Sequence, residues 1–229
     1  MNKKDINIDG FRHILYQHHS LSKDQMQQKS EEFYDWMNQR RSIREFSDEN
    51  VPKSVIENII KTASTAPSGA HKQPWTFCAV SNKDLKHQIR LAAEAEEKET
   101  YENRMGDRWK NDLAPIATNM HKPFLETVPW LIIAFKRPYE YKEDGSKVNN
   151  YYVNESVGLA CGMLITAIHN AGLATLTHTP SPMKFLTRLL KRPENERAFL
   201  LLPVGYPKQP VFVPDLKRKD LNEVAVFYE

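Results

Sequence analysis

Two short segments in the first third of the chain carry the most information about its fold: Arg40-Arg41-Ser42-Ile43-Arg44, followed by Thr65-Ala66-Pro67-Ser68-Gly69-Ala70-His71. The first segment combines three guanidinium groups with a hydroxyl, and guanidinium forks bind phosphate through paired hydrogen bonds. The Pro-Ser-Gly turn of the second segment exposes backbone N–H groups, which suit a flat, hydrogen-bonding ring. Together they predict a site for a phosphorylated aromatic cofactor. Taken alone, the arginine cluster is better explained as a solvated basic helix end.

Length and composition exclude several classes of protein. The chain has 229 residues, of which 40% are hydrophobic, and this is enough to form one large domain or two small ones. The net charge of +3 is small. The sequence shows no cluster of basic residues of the kind that nucleic-acid binding usually needs. No apolar run is long enough to span a bilayer, and the N-terminus lacks the apolar core of a secretory signal. We therefore expect a soluble, cytoplasmic protein.

The cysteines and histidines predict neither a disulfide framework nor a metal site. Cys78 and Cys161 lie among apolar neighbours, as buried free thiols do in a reducing compartment. His13, His18 and His19 match no strong metal-ligand spacing. We interpret this part of the sequence, residues 1–28, as a polar, irregular surface arm.

Hydrophobic periodicity predicts a single layered domain over residues 29–229. Apolar residues recur at helical spacing after Pro52 and most strongly from Val153 to Ala171, where Gly172 suits a helix C-cap. Two further helices are expected at residues 31–40 and 83–101. Short apolar runs predict strands at residues 75–80, 128–135, 173–177 and 199–204, and Asp144-Gly145 predicts a turn. Alternating helices and strands favour an α+β or α/β fold.

Glycines inside the longest predicted helix indicate a close contact. Gly158 and Gly162 lower helix propensity, so we expect that packing against another helix, across a dimer for example, requires them.

The two opening segments resemble those of the nitroreductase-type FMN flavoproteins. Thr177-His178-Thr179-Pro180, Leu201–Pro207 and Val213–Lys219 extend the likeness, and within the family they resemble the iodotyrosine deiodinase branch. The likeness runs from about Trp36 to about Leu221. It implies an α+β fold with a central mixed β-sheet flanked by helices, and an intertwined homodimer in which both chains build each FMN site.

The resemblance also implies which residues hold FMN. The arginine-rich segment matches contacts with the phosphate and ribityl chain, and the Pro-Ser turn matches the residues at the edge of the flavin ring. Thr179 matches a threonine that hydrogen-bonds flavin N5, where a hydroxyl can donate or accept and so favours one-electron steps. His178 stands where a threonine is expected. The implied cofactor residues are Arg40, Arg41, Ser42, Arg44, Pro67, Ser68, Thr177, His178, Thr179 and Arg218.

A lid at about residues 94–123 sets the deiodinase branch apart. Glu97 and Tyr101 are four residues apart, so a helix places them on one side. In the family the residue matching Glu97 binds the substrate ammonium, and those matching Tyr101 and Lys122 bind its carboxylate. Ala70 matches a residue whose backbone N–H binds the substrate phenolate, so Ala70 and Thr179 are the expected catalytic residues. Without the resemblance, Glu97 would be one solvated acid among several.

The implied function is FMN-dependent reductive dehalogenation of a halotyrosine to tyrosine and halide, with NAD(P)H or a reductase as external electron donor. One alternative is a general NAD(P)H-dependent nitro- or quinone-reductase, which would not need residues that clamp a zwitterion. Another alternative is a flavin-containing tyrosine-binding protein without turnover, against which the sequence argues only weakly.

Overall fold

The chain divides after Arg40 into two units, and the second runs from Arg41 to Glu229. The structure is a computed structural model that describes residues 5–229. In the first unit, β1 (Asp5–Ile8) and β2 (Phe11–Ile14) form an antiparallel hairpin, followed by α1 (Lys23–Asn38). The prediction that this region is irregular was therefore wrong for the described residues.

Local hydrogen bonds explain why the first unit is regular. Asp9 and Gly10 have φ angles of 51° and 86°, as an Asp-Gly hairpin turn requires. Ser22 and Gln25 form a capping box that starts α1 at Lys23, well before the predicted residue 31.

The second unit is built around a sheet of four strands within the described residues, in the order β3-β4-β8-β7. The sheet was expected to be mixed, but all pairs of named strands in it are antiparallel. The parallel pairing found in the described chain is a single bridge between Ser42 and Thr175. The strands are β3 (Trp75–Val80), β4 (Trp130–Lys136), β7 (Ala174–Thr175) and β8 (Arg197–Gly205).

Helices cover both faces of this sheet, and alternate side chains of β4 point into the two cores that result. Leu131, Ile133 and Phe135 belong to the core cluster on one face, and Ile132 to the cluster on the other, as the two-residue period of a strand requires. The first face packs against α3 (Lys83–Glu99), α5 (Phe124–Thr127) and α7 (Lys184–Leu189); the second packs against α2 (Lys53–Ala63) and α6 (Val153–Asn170). The result is a three-layer α+β unit.

Most predicted elements of the second unit are confirmed. The helix after Pro52, the strand at residues 75–80 and the long helix ending before Gly172 are all present. Gly172 has a φ of 72°, which suits a helix C-cap. The turn at Asp144-Gly145 connects β5 (Tyr139–Tyr141) to β6 (Lys147–Asn149). The remaining helices are α4 (Asp107–Leu113) and α8 (Leu221–Val224).

The glycines of α6 do not make a close contact within the described part of this chain. A Cβ atom built on Gly158 or Gly162 meets nothing within 4 Å. Cys161 of the same helix is buried as predicted, and burial raises the pKa of its thiol to about 12. No helix within residues 5–229 has the length and apolar character needed to cross a membrane.

Candidate active site

One wall of the site is a backbone framework that we call the platform, comprising residues 42–44 and 175–179. Ile43 N donates to Thr175 O at 3.2 Å, which joins the arginine-rich segment to β7. His178 N donates to Leu201 O at 2.9 Å, and Leu201 N donates back to His178 O at 3.0 Å. These bonds bring Arg44 and residues 177–179 to the same pocket, although they are far apart in sequence.

Side chains alternate along residues 177–179 because Leu201 holds this segment as an extra piece of strand. Thr177 and Thr179 are exposed, whereas His178 is buried. The two hydroxyls are therefore accessible to a ligand on the open side of the segment. The imidazole occupies the opposite, packed side.

The predicted arginines do not all occupy the same surroundings. Arg44 lines the pocket, where burial lowers the pKa of its guanidinium, which still remains charged. Arg41 donates through its guanidinium to the carbonyl of Pro214, so it contacts the C-terminal tail that carries the exposed Arg218. Arg40 is the last residue of the first unit, and its contact with a cofactor stays a prediction.

The turn that contains Ala70 has an unusual backbone conformation. Ala70 has φ 49° and ψ 32°, a left-handed conformation uncommon for residues other than glycine. Gly69 N donates to Ser156 Oγ at 3.3 Å and Gln73 N to Ser68 Oγ at 2.9 Å. Within the described residues, the N–H of the exposed Ala70 donates to no protein acceptor.

The opposite wall of the pocket is the lid segment, residues 94–123. It starts in α3, continues through a π-helical turn, Thr100–Arg104, and then α4, and returns at the buried Lys122. Lys122 Nζ lies 3.5 Å from Glu97 Oε2 and donates to the carbonyl of Asn119 and, at 3.1 Å, to Thr118 Oγ1. The Tyr101 hydroxyl donates to Thr118 O at 3.2 Å. Glu97, Tyr101 and Lys122 therefore lie together.

Burial leaves the charges of this wall incompletely stabilised. It raises the pKa of Glu97 and lowers that of Lys122, although the attraction between the two groups opposes both shifts. Burial likewise raises the pKa of Tyr101. A buried ion pair whose partners both shift toward neutrality would gain from a ligand that offers each of them an opposite charge.

The pocket between platform and lid has a volume of about 240 Å³. Six of the predicted site residues in the second unit do not line it: Arg41, Ser42, Pro67, Ser68, Ala70 and Arg218. Its lining is Arg44, Glu97, Thr100, Tyr101, Met105, Trp109, Leu113, Ile116, Thr118, Lys122, Phe124, Leu176, Thr177, His178, Thr179 and Ser181.

Several apolar lining residues had not been predicted as site residues. Met105, Trp109, Leu113 and Ile116 recur at spacings of four, four and three in an otherwise polar segment. This is the period of one helix face, and it was the signal that could have identified them. They give the lid an apolar inner surface, which suits contact with an aromatic ring.

A cavity larger than this pocket lies elsewhere on the molecule. A second cleft of about 780 Å³ lies around α7 and the start of β8, but it contains none of the predicted site residues. Within the described residues, no group of three or more His, Cys, Asp or Glu side chains could hold a metal ion.

The fold and this pocket define a member of the nitroreductase family, to which the chain belongs: the family model matches residues 37–206. The chain is 56% identical to an iodotyrosine deiodinase of Haliscomenobacter hydrossis over 94% of its own length and 97% of the relative's. It is 49% identical to the iodotyrosine deiodinase of Danio rerio, over 93% of this chain and 73% of that one.

Solved structures agree with this assignment. A crystal structure of oxidized iodotyrosine deiodinase bound to FMN and 3-iodo-L-tyrosine matches with a TM-score of 0.73 and 34% identity, covering 86% of this chain and 98% of that chain. A nitroreductase with bound FMN from Bacteroides fragilis matches with a TM-score of 0.64, over 86% of this chain and 99% of that one. At 17% identity, the second likeness supports the fold alone.

Proposed function

We propose that the protein is an FMN-dependent enzyme that reductively removes halogen from halotyrosine, with iodotyrosine as the expected substrate. The observation that carries the proposal is the position of Glu97, Tyr101 and Lys122 in one pocket with Thr177 and Thr179. The relatives that are about half identical over most of the chain are iodotyrosine deiodinases, which supports the same conclusion.

The residues present fit FMN. Arg44 offers a partly buried guanidinium to a phosphate, and Arg41 and Ser42 precede it by three and two residues. Thr177 and Thr179 present exposed hydroxyls beside the pocket, and Thr179 is the residue we assign to flavin N5. Arg40, Pro67, Ser68, Arg218 and, through its backbone, His178 complete the proposed set.

The lid would recognise the amino-acid end of the substrate. Glu97 would bind the ammonium, and Lys122 with Tyr101 would bind the carboxylate, so that the two charges of the zwitterion fix its orientation. Glu97 and Lys122 would then exchange their contact with each other for contacts with the substrate. These new contacts would offset the free-energy cost of burying the two charges. The apolar lid residues would exclude water from the ring and strengthen each charged contact.

The chemistry then requires little else from the protein. Reduced FMN, when bound, supplies two electrons, which together with one proton replace the carbon–halogen bond by carbon–hydrogen and release halide. The free N–H of Ala70 would hold the phenolate oxygen, and the Thr179 hydroxyl would donate to or accept from N5 as its protonation changes. Because halogenation acidifies a phenol, a site that binds phenolate selects halotyrosine over tyrosine.

A homodimer is part of the proposal, because the pocket of one chain lacks Ala70. A second copy would supply the Pro67–Ala70 turn and would cover α6, where Gly158 and Gly162 face open space and Leu159 is exposed. A partner subunit that contributes residues to each site makes activity depend on assembly.

Mixed dimers test this arrangement. Glu97→Gln removes the lid carboxylate, and Ala70→Pro removes the N–H while excluding a φ of 49°. If each site uses both chains, mixing the two inactive variants restores about a quarter of wild-type activity, because half of the dimers carry one intact site. No recovery in a preparation shown to contain mixed dimers would contradict a shared site.

Halide release tests the function itself. The FMN-loaded protein, reduced without oxygen, should convert 3-iodo-L-tyrosine to tyrosine and iodide over many turnovers. Rapid oxidation of NADPH by nitroaromatics without affinity for iodotyrosine would favour a general reductase. Tight binding of iodotyrosine without iodide release would favour a binding protein. The electron donor in the cell, NAD(P)H or a reductase, would be identified by which of them supports steady turnover.

A further inference from the structure

The buried imidazole of His178 lies at the junction of platform and lid. Its side chain is 7% exposed, and Nδ1 lies 3.8 Å from Glu97 Oε1. The ring packs edge-on against Phe124, with centroids 6.0 Å apart. His178 is therefore a platform side chain that reaches the carboxylate we assign to the substrate ammonium.

The position of this imidazole is not explained by packing or by cofactor contact. Both backbone groups of His178 pair with Leu201, and its ring is on the opposite side from the exposed Thr177 and Thr179. Within the described residues, the buried Nε2 atom has no hydrogen-bond partner. An unpaired buried polar atom is destabilising, and an apolar ring would fill the same space without that cost. A role for the ring nitrogens in ligand binding would offset this cost.

The surroundings of His178 keep it neutral. Burial, together with the positive charges of Lys122 and Arg44, lowers the pKa of its imidazole to about 3. A neutral imidazole carries one N–H and one bare nitrogen. Because the carboxylate of Glu97 can only accept, the tautomer with hydrogen on Nδ1 is the one that complements it, and the bare Nε2 then remains on the packed side.

We propose that His178 is a positioning residue for substrate recognition: its Nδ1–H donates to Glu97 Oε1 and fixes the carboxylate to receive the substrate ammonium. The present 3.8 Å separation is longer than a hydrogen bond, so the bond forms when the lid closes on the ligand. Catalytic-site hydrogen bonds commonly tighten in this way. The inference rests on the proposed function, because it needs Glu97 to bind an ammonium group.

Ligand truncation combined with mutation isolates this role. His178→Phe keeps a flat ring beside Phe124 but has no N–H, whereas His178→Asn restores a donor near the position of Nδ1. The ligands are 3-iodo-L-tyrosine and its desamino analogue, 3-(4-hydroxy-3-iodophenyl)propanoate, which lacks only the ammonium. The measurement is the equilibrium Kd of each ligand for the oxidised FMN-loaded protein, with flavin content confirmed by absorbance.

We expect His178→Phe to raise the Kd of 3-iodo-L-tyrosine about tenfold, the worth of one hydrogen bond to a charged group. The Kd of the desamino analogue should change far less, and His178→Asn should recover most of the loss. In the Glu97→Gln background the effect of His178→Phe should largely disappear, because the two residues act through one contact.

Three results would overturn the inference. Equal losses for both ligands would reduce His178 to a packing residue, and so would failure of His178→Asn to recover affinity for iodotyrosine. An unchanged Kd in His178→Phe would remove any role in binding. The proposed function fails separately: wild-type protein that binds iodotyrosine but releases no iodide would leave the His178 result standing. Wild-type protein that binds neither ligand would overturn both.

Discussion

The two walls of the pocket are built in different ways. The platform is fixed by backbone hydrogen bonds, Ile43 to Thr175 and His178 to Leu201, beside strands of the buried sheet. The lid segment depends on side-chain contacts such as Glu97 with Lys122 and Tyr101 with Thr118, and Trp109 is 49% exposed. The backbone of the sheet thus fixes the platform, whereas the lid is held by side chains that single substitutions can remove.

This difference separates two tasks. Residues that hold a cofactor benefit from a framework that exists before binding. Residues that identify a substrate can use charges that are incompletely stabilised until the substrate arrives, as the pKa shifts of Glu97 and Lys122 indicate. A nitroreductase-type platform would therefore acquire amino-acid specificity through its lid.

The largest effect on stability should come from removing the buried cation of the lid. Lys122→Met leaves the Glu97 carboxylate without its ion-pair partner, and we expect a loss of about 3 kcal/mol in the free energy of unfolding. Urea denaturation of the FMN-loaded protein measures it. The double variant with Glu97→Gln should recover part of the loss, and Lys110→Met, at an exposed position in α4, is the control. A loss no greater than the control's would show that the lid charges are not coupled.

The buried imidazole of His178 should make the free energy of unfolding depend on pH. The imidazole titrates near 6.5 when unfolded and at about 3 when folded, so the unfolded state binds the proton first and stability falls as pH drops below about 6.5. Between about pH 7 and pH 5 the loss is about 2 kcal/mol. Glu97, Lys122 and Arg44 also surround this site, so the difference between wild type and His178→Asn in urea titrations isolates the imidazole. Parallel pH profiles would contradict a buried neutral His178.

A methyl group distinguishes packed from open backbone. An added Cβ at Gly69 lies 3.0 Å from Tyr151 O and from a Tyr152 ring carbon, so Gly69→Ala should cost about 1 kcal/mol or more. At Gly106, the N-cap of α4 in the lid, a Cβ meets nothing within 4 Å, so Gly106→Ala should cost only the difference between the two caps, about 0.5 kcal/mol. Thermal unfolding compares them, and equal effects would contradict the difference in packing.

Sequence was sufficient for the main strands and helices of the second unit but not for their assembly. Local periodicity, which depends on neighbouring residues, predicts the strands at residues 75–80 and 199–204 and the helix that ends before Gly172. The antiparallel order of the sheet and the pairing of His178 with Leu201 depend on contacts between distant residues, so periodicity could not supply them. The regular structure of the arm depends on two local signals, the Asp9-Gly10 turn and the capping box at Ser22, which its polar composition does not reveal.

In the lid, too, the sequence predicted the individual residues better than their contacts with the rest of the molecule. The resemblance placed Glu97, Tyr101 and Lys122 in a common role, and the structure brings them together. The approach of His178 to Glu97 joins residues from the two walls, and no motif encodes that pair. The absence of Ala70 from the same chain's pocket is equally a property of three-dimensional assembly.

The separation of tasks between platform and lid is tested most directly by comparing two reactions in Glu97→Gln, with Glu102→Gln at a neighbouring exposed position as control. The reactions are iodide release from 3-iodo-L-tyrosine and reduction of a nitroaromatic that has no zwitterion, both by the reduced, FMN-loaded protein. The account predicts that Glu97→Gln lowers kcat/KM for iodide release about a hundredfold, as for loss of a buried charge contact, while nitro reduction and FMN content stay near wild type. A parallel fall in both reactions, or no fall in either, would contradict it.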